Sequence, residues 1–273
     1  MDPQYPPLSS ILVYAFFVVV MFILATNLAH LLLLPFYHSE VPYSRLPYVL
    51  PIAVILSVIG IVVMRTVHFV GIENLFHLMV GTYHRPVVQQ KIILFLDIND
   101  STDLAERLGA VQTQSLVGKF LFDISKPITD WGGEIYLYKG DGLIAVWGWR
   151  EAAQDNRILR AIDGMFAAMR REQREFQKQF GVVPIFRVGV HGGEVVVSEQ
   201  GDIKRSIGIY GTTINIAARM EEAAKTHNVA CAISGDVTAA LTKQDDRLCL
   251  IGNERVKGIS AEIPIFEYRI GDA

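Results

Sequence analysis

Hydrophobic positions divide the chain into two unlike parts. Between Pro3 and Ser39 there is no Asp, Glu, Lys or Arg, and the apolar run Ile11 to Leu34 exceeds the roughly 20 residues needed to cross a bilayer. A second charge-free stretch runs from Leu46 to Met64 and is closed by Arg65. The pattern predicts a two-helix membrane hairpin within residues 1–70, with spans at about 11–34 and 47–69 and a short outside loop from His38 to Pro47. A signal peptide does not fit, because no basic segment precedes the run, it is too long, and it offers no small-residue cleavage site. Arg65, Arg85 and Lys91 follow the second span, against Arg45 in the loop, which favours a cytosolic C-terminal part anchored in the cell inner (plasma) membrane.

After Gly71 the periodicities become those of a globular domain. Ile72, Leu75, Phe76 and Met79 fall at helical spacing and predict a connector helix within 71–90, broken by Gly81 and Pro86. It reads equally as a signal transmitter or a plain spacer. Lys91 to Asp97 predicts a strand. Asn99 to Thr102 supplies N-cap side chains for a following helix, whose buried face runs from Leu104, Leu108 and Val111 to Leu116, Val117, Phe120, Leu121 and Ile124. Strands Glu134 to Lys139 and Leu143 to Trp147 flank Gly140-Asp141-Gly142, a hairpin signal. Ile158 to Met169 repeat at threes and fours in a long helix. Strands Val183 to Val190 and Glu194 to Ser198 surround His191-Gly192-Gly193. A helix near Thr212 to His227 follows, then a strand at Ala230 to Ser234, a short helix at Val237 to Leu241, and strands near Leu248 to Ile251 and Ile263 to Tyr268. Residues 91–273 thus read as an α/β (α+β) domain of ferredoxin-like βαββαβ order with additions, its helices on one face of a mostly antiparallel sheet.

The net charge of −3 leaves no basic footprint for nucleic acid. Cys231 and Cys249 show no metal-ligand spacing and read as packing residues in a reducing compartment. Two aspartates stand out instead. Asp97 ends an apolar strand and Asp141 sits in the turn between two others. An unpaired buried carboxylate costs several kcal/mol, so strands normally avoid one. Two strand edges that each deliver a carboxylate suit hard divalent cations and phosphate oxygens.

Five segments carry a family resemblance. They are Phe95-Leu96-Asp97-Ile98 with Ser101-Thr102, Gly132-Gly133-Glu134 through Gly140-Asp141, Gly189-Val190-His191-Gly192-Gly193, Tyr210 to Met220, and Val256-Lys257-Gly258. In this order, over about Ile92 to Ile270, they resemble the catalytic domain of class III adenylate and guanylate cyclases. The resemblance implies a nucleotidyl cyclase that makes 3′,5′-cyclic AMP and pyrophosphate from ATP, with GTP as the alternative substrate. It implies two ions, Mg2+ or Mn2+, on Asp97, Asp141 and the Ile98 carbonyl. Asn215 and Arg219, four apart on one helix face, would orient the ribose and neutralise charge on the transferred phosphorus. Lys257 would bind the triphosphate as a point charge, with Thr102, Arg205 and Lys204 as further phosphate contacts. In this family the metal aspartates come from one subunit and the Asn, Arg and Lys from its partner, which implies a homodimer with two sites.

The chain departs from the family's pattern where the purine is read. The lysine four residues before the second metal aspartate is Leu137 here, and the polar residue three before the glycine matched by Gly211 is Gly208. Lys139 shares a strand face with Leu137 and is the candidate substitute. Gly142 stands where an acidic residue is common, and Thr212 where a further Asp is. These departures keep open a cyclase-like module that binds nucleotide or dimerises without turnover. A palm-type dinucleotide cyclase is disfavoured, because Gly140-Asp141-Gly142-Leu143 is not its hairpin signature. His30 and His68 read as helix-packing residues too far apart in a hairpin to share one haem, and His191 as structural.

Overall fold

The computed structural model describes residues 20, 55, 58–60, 62–64, 85–202, 206–255 and 262–271. The chain divides into two compact units, Met1–Thr82 and Tyr83–Ala273. Both expected membrane spans and most of the expected connector lie largely outside the described residues. Among the described residues, no helix is long and apolar enough to cross a membrane. Those of the first unit are helical, and Ile55, Val58, Ile59, Val62, Val63 and Met64 are 46–68% exposed.

The second unit begins with β1 (Val87–Ile98), which takes in the last four residues expected of the connector. Helices α1 (Ser101–Leu108) and α2 (Ala110–Asp130) follow, then the hairpin β2 (Glu134–Lys139) and β3 (Gly142–Gly148). After α3 (Trp149–Ala153) and a 3-10 turn comes the long α4 (Arg157–Phe180). The rest is β4 (Phe186–Gln200), β5 (Ser206–Tyr210), α5 (Thr212–Thr226), β6 (Cys231–Ser234), α6 (Gly235–Ala240), β7 (Leu248–Arg255) and β8 (Glu262–Tyr268). The sheet order is β2-β3-β1-β4-β6-β8-β7, with β5 paired to β4. Among the described residues only the β4–β6 pairing is parallel. The four strands β2-β3-β1-β4 and the helices between them form the expected βαββαβ core, a mixed α+β fold.

Strand alternation sorts β1 between two cores. Ile92, Leu94, Leu96 and Ile98 pack with Phe120 and Ile124 of α2 and with Ile162 and Met165 of α4. Ile93 and Phe95 face the other side, where Ala217 of α5 joins Ile144, Val146, Val195 and Val197. The sheet is therefore covered on both faces, not one. Helix α5 reads in sequence like the other amphipathic helices, and only the β4–β5 hairpin before it determines that it returns across the opposite face.

Three other expectations differ locally. The helix expected through Leu104 to Ile124 is two helices, because Gly109 breaks it at φ 76°. Val111, expected on the buried face, is 81% exposed as a result. Strand β4 runs without a turn through His191-Gly192-Gly193, since its ladder with β1 continues from Ile98↔Phe186 to Val87↔Val197. The chain reverses only after Gln200, since β5 pairs back antiparallel on β4 from Gln200↔Ser206. The side chains of Asn99 to Thr102 do not cap α1, since Asp100 at its N-cap adopts a left-handed conformation, φ 52°, with no side-chain cap bond.

Candidate active site

Asp97 occupies the next-to-last position of β1, on the face of Ile93 and Phe95. The β1–β3 register brings it beside Gly142. A Cβ there would overlap the Leu96 carbonyl oxygen and stand 2.9 Å from Asp97 Oδ1. The acidic side chain common in the family at this place has no room in this chain. Lys139 pairs with Gly142, so Gly140 and Asp141 alone form the hairpin loop, and Gly140 supplies the positive φ of 62°. That tight loop sets Asp141 against the end of β1.

The two carboxyls lie within hydrogen-bond reach of each other. Burial first, and the charge of Asp141 second, hold the Asp97 carboxyl above its usual range, while Lys139 and Lys225 pull it down. Asp141 Oδ2 is buried and has no hydrogen-bond partner among the described residues. Glu221 of α5 extends the acidic group. Burial raises its carboxyl too, followed by the charge of Asp97, with Arg187 opposing. Arg187 is the cross-strand neighbour of Asp97 on β4. Sequence reading missed Glu221 and Arg187. The available signal was a charged residue between buried Phe186 and Val188 on a strand.

These residues fit a divalent cation. Carboxylate oxygens accept only, and an orphaned buried one facing a second carboxylate is an arrangement that a hard cation relieves. Among the described residues no cluster of three or more His, Cys, Asp or Glu side chains could hold a metal. Any divalent cation held here would therefore take its side-chain ligands from the aspartate pair and its other oxygens from the backbone or substrate. Ile98 is 3% exposed with its side chain in the core, so only its backbone can contribute.

The structure does not bring every expected residue to this pair. Asn215 is exposed and Arg219 half-buried on α5, and neither has a hydrogen bond or ion pair among the described residues. Glu221 and Lys225, which bear on Asp97, lie about 160° and about 120° round the helix from Arg219 at roughly 100° per residue. Thr102 is exposed in the first turn of α1, whose N–H groups have no side-chain cap. Leu137 is 48% exposed opposite Ile144, and Lys139 follows on the same face beside the carboxylates, as strand alternation predicts. Gly208 is buried on β5. Lys204, Arg205, Lys257, His30 and His68 lie outside the described residues. His191 is buried, with Nδ1 2.8 Å from Ser234 Oγ and 3.8 Å from Asp236. A cavity of about 410 Å³ lies elsewhere, by Gln90, Trp149 and Thr212.

Residues 85–268 match the family described as adenylate and guanylate cyclase catalytic domain. Adenylate cyclase 2 of Rhizobium meliloti (strain 1021) is 30% identical over 216 residues, 77% of this chain and 58% of that protein. An adenylate cyclase of Anabaena cylindrica is 27% identical over 206 residues, 73% of this chain and 39% of that protein. The chain thus spans little more than half of the first relative and less of the second. Among solved structures, a bacterial light-regulated adenylyl cyclase superimposes with a TM-score of 0.69 at 19% identity, over 81% of this chain and 64% of that one. The adenylyl cyclase CyaB from P. aeruginosa gives 0.56 at 22% identity, over 69% of this chain and 97% of that one. At these identities the superpositions establish the fold.

Proposed function

Because the chain belongs to the adenylate and guanylate cyclase catalytic-domain family, we propose that it converts ATP to 3′,5′-cyclic AMP and pyrophosphate at a site shared by two copies of itself. The observation that carries this reading is the convergence of Asp97 and Asp141, with a buried Asp141 oxygen left unpartnered. Asp97, Asp141 and the Ile98 carbonyl would hold two Mg2+ or Mn2+ ions, which supply a more acidic ribose 3′-hydroxyl and charge neutralisation on the triphosphate.

The remaining roles fall to side chains of the protein. The 3′-oxygen attacks the α-phosphorus, its proton passes to solvent, and the bond to the bridging oxygen breaks with its electron pair leaving on pyrophosphate. Arg219 of the second copy neutralises charge growing on the phosphoryl oxygens, and Asn215 beside it orients the ribose. The uncapped first turn of α1, with Thr102, offers N–H groups to the phosphates. Lys257 and Arg205 add positive charge there. Lys139 and Lys225 limit the mutual repulsion of the carboxylates.

Residues 1–70 anchor this domain in the inner membrane with the catalytic part in the cytosol. Two long charge-free stretches support this, as do the described helical positions 55, 58, 59 and 62–64, apolar yet exposed. A second reading takes GTP as substrate, because Leu137 and Gly208 offer no polar side chain that would select adenine over guanine.

Purified full-length protein, given Mg2+ or Mn2+ with ATP or GTP, is expected to release pyrophosphate and a 3′,5′-cyclic nucleotide. Tight binding of both nucleotides with no cyclic product from either overturns the catalytic reading in favour of a binding module.

A further inference from the structure

Gly208 is not an open space. A Cβ built on it would stand 2.5 Å from Tyr210 Oη and 2.7 Å from Tyr210 Cζ, so the phenol lies over the bare backbone. Residues two apart on a strand share a face, and the missing side chain at 208 lets the ring fold back along β5. Tyr210 is nevertheless 43% exposed, and its hydroxyl makes no hydrogen bond among the described residues. It is held in place by its neighbours. Ile209 N donates to Tyr136 Oη at 3.1 Å, which ties β5 to the strand that carries Leu137. The other candidate polar group, Lys139, lies close enough to Asp97 for its charge to act there.

We propose that Tyr210 Oη, lodged over Gly208, is the group that recognises the base of the nucleotide in this chain. The inference rests on the cyclase reading above. It replaces a side chain at position 208 with a hydroxyl that arrives from two residues on. A phenol hydroxyl both donates and accepts. It can donate to N1 of adenine or O6 of guanine and accept from the amine of one or the ring N–H of the other. It therefore recognises a polar purine edge without choosing strongly between the two, and ATP and GTP are expected to bind within about tenfold of each other.

The test is titration calorimetry on the full-length protein with non-cleavable α,β-methylene triphosphates of three nucleosides: adenosine, guanosine and benzimidazole riboside, whose six-membered ring carries no nitrogen or amine. The wild type is expected to bind the first two about tenfold more tightly than the third, the scale of one hydrogen bond. Tyr210→Phe, which keeps the ring over Gly208, is expected to bring that ratio close to one and leave the benzimidazole compound unaffected. Gly208→Ala displaces the hydroxyl with Tyr210 intact and is expected to do the same. A ratio unchanged in Tyr210→Phe, or an equal loss for all three ligands, overturns the assignment and leaves Tyr210 a packing residue. Because binding is read without turnover, that result is distinct from failure of the cyclase reading, which shows as wild-type protein that yields no cyclic product from ATP or GTP.

Discussion

Asp97 is held where its own charge is unwelcome. Burial and the neighbouring Asp141 raise its carboxyl above the ordinary 3.8, so the folded chain holds that proton more tightly than the unfolded chain does. The stability this group contributes is present below pH 3.8 and is lost as pH rises through the folded value. At neutral pH the ionised pair is a liability that a divalent cation removes. Asp97→Asn is expected to raise the thermal midpoint without divalent ions by roughly 1–4 °C and to abolish any further rise on adding Mg2+. A midpoint lowered by the substitution would show that the pair is not repulsive. Asp97→Ala is expected to cut cyclic product formation at least about 100-fold, and a retained rate would take Asp97 out of the site. His191 has the opposite sign. Burial lowers its imidazole below the usual 6.5, and Asp236 offsets this only in part. The folded state resists its protonation, so stability present above pH 6.5 falls as pH drops from there toward the folded value. His191→Gln is expected to flatten that part of a stability–pH curve measured by urea unfolding. An unchanged slope would mean that another group titrates there.

At the scale of elements, the site is built by close approach of backbones. Helix α5 crosses β4 at Gly189, where an added Cβ would collide with the backbone nitrogen of Glu221. Gly189→Ala must push the helix off the sheet and with it Glu221, the neighbour of Asp97. A loss of about 1–3 kcal/mol is expected from urea unfolding, the usual cost of overpacking. An unaffected midpoint would show that α5 can shift freely. Such contacts explain what could be read from the chain beforehand. The strands around Asp97 and Asp141 were legible, because a charge at the end of an apolar run is costly enough to be placed with purpose. The hairpin was legible from Gly140. The continuity of β4 was not, since Gly192 and Gly193 read as a turn and only the long ladder with β1 keeps them extended. The side of the sheet taken by α5 was not legible either, because a helix that buries Ile216, Ala217 and Met220 shows a buried stripe but not which face receives it. Tyr210 went unremarked as a site residue because its position over Gly208 exists only once β5 is folded.

On the scale of the whole molecule, each chain carries both sets of residues that the proposed shared site needs. The carboxylate pair closes the end of β1, while Asn215 and Arg219 stand on α5 with no partner among the described residues. An unpaired, half-buried guanidinium gives its own subunit nothing for its desolvation, yet it suits a phosphate presented by a second copy. In the proposed dimer, two copies related by a two-fold axis would form two complete sites, each with carboxylates from one chain and Asn215 and Arg219 from the other. Membrane anchors would raise the effective concentration of the copies and favour the pair. This arrangement has a consequence that no single-chain site shares. Asp97→Ala and Arg219→Ala proteins are each expected to be inactive alone. In a mixed dimer, one site inherits both defects and the other inherits neither. Co-expressed in equal amounts, the two should regain about a quarter of the wild-type rate, from one working site in the half of all dimers that are mixed, and mixed dimers purified through different tags should show about half. If mixed dimers are isolated and still make no cyclic nucleotide, Arg219 acts on the carboxylates of its own chain and the shared site is wrong.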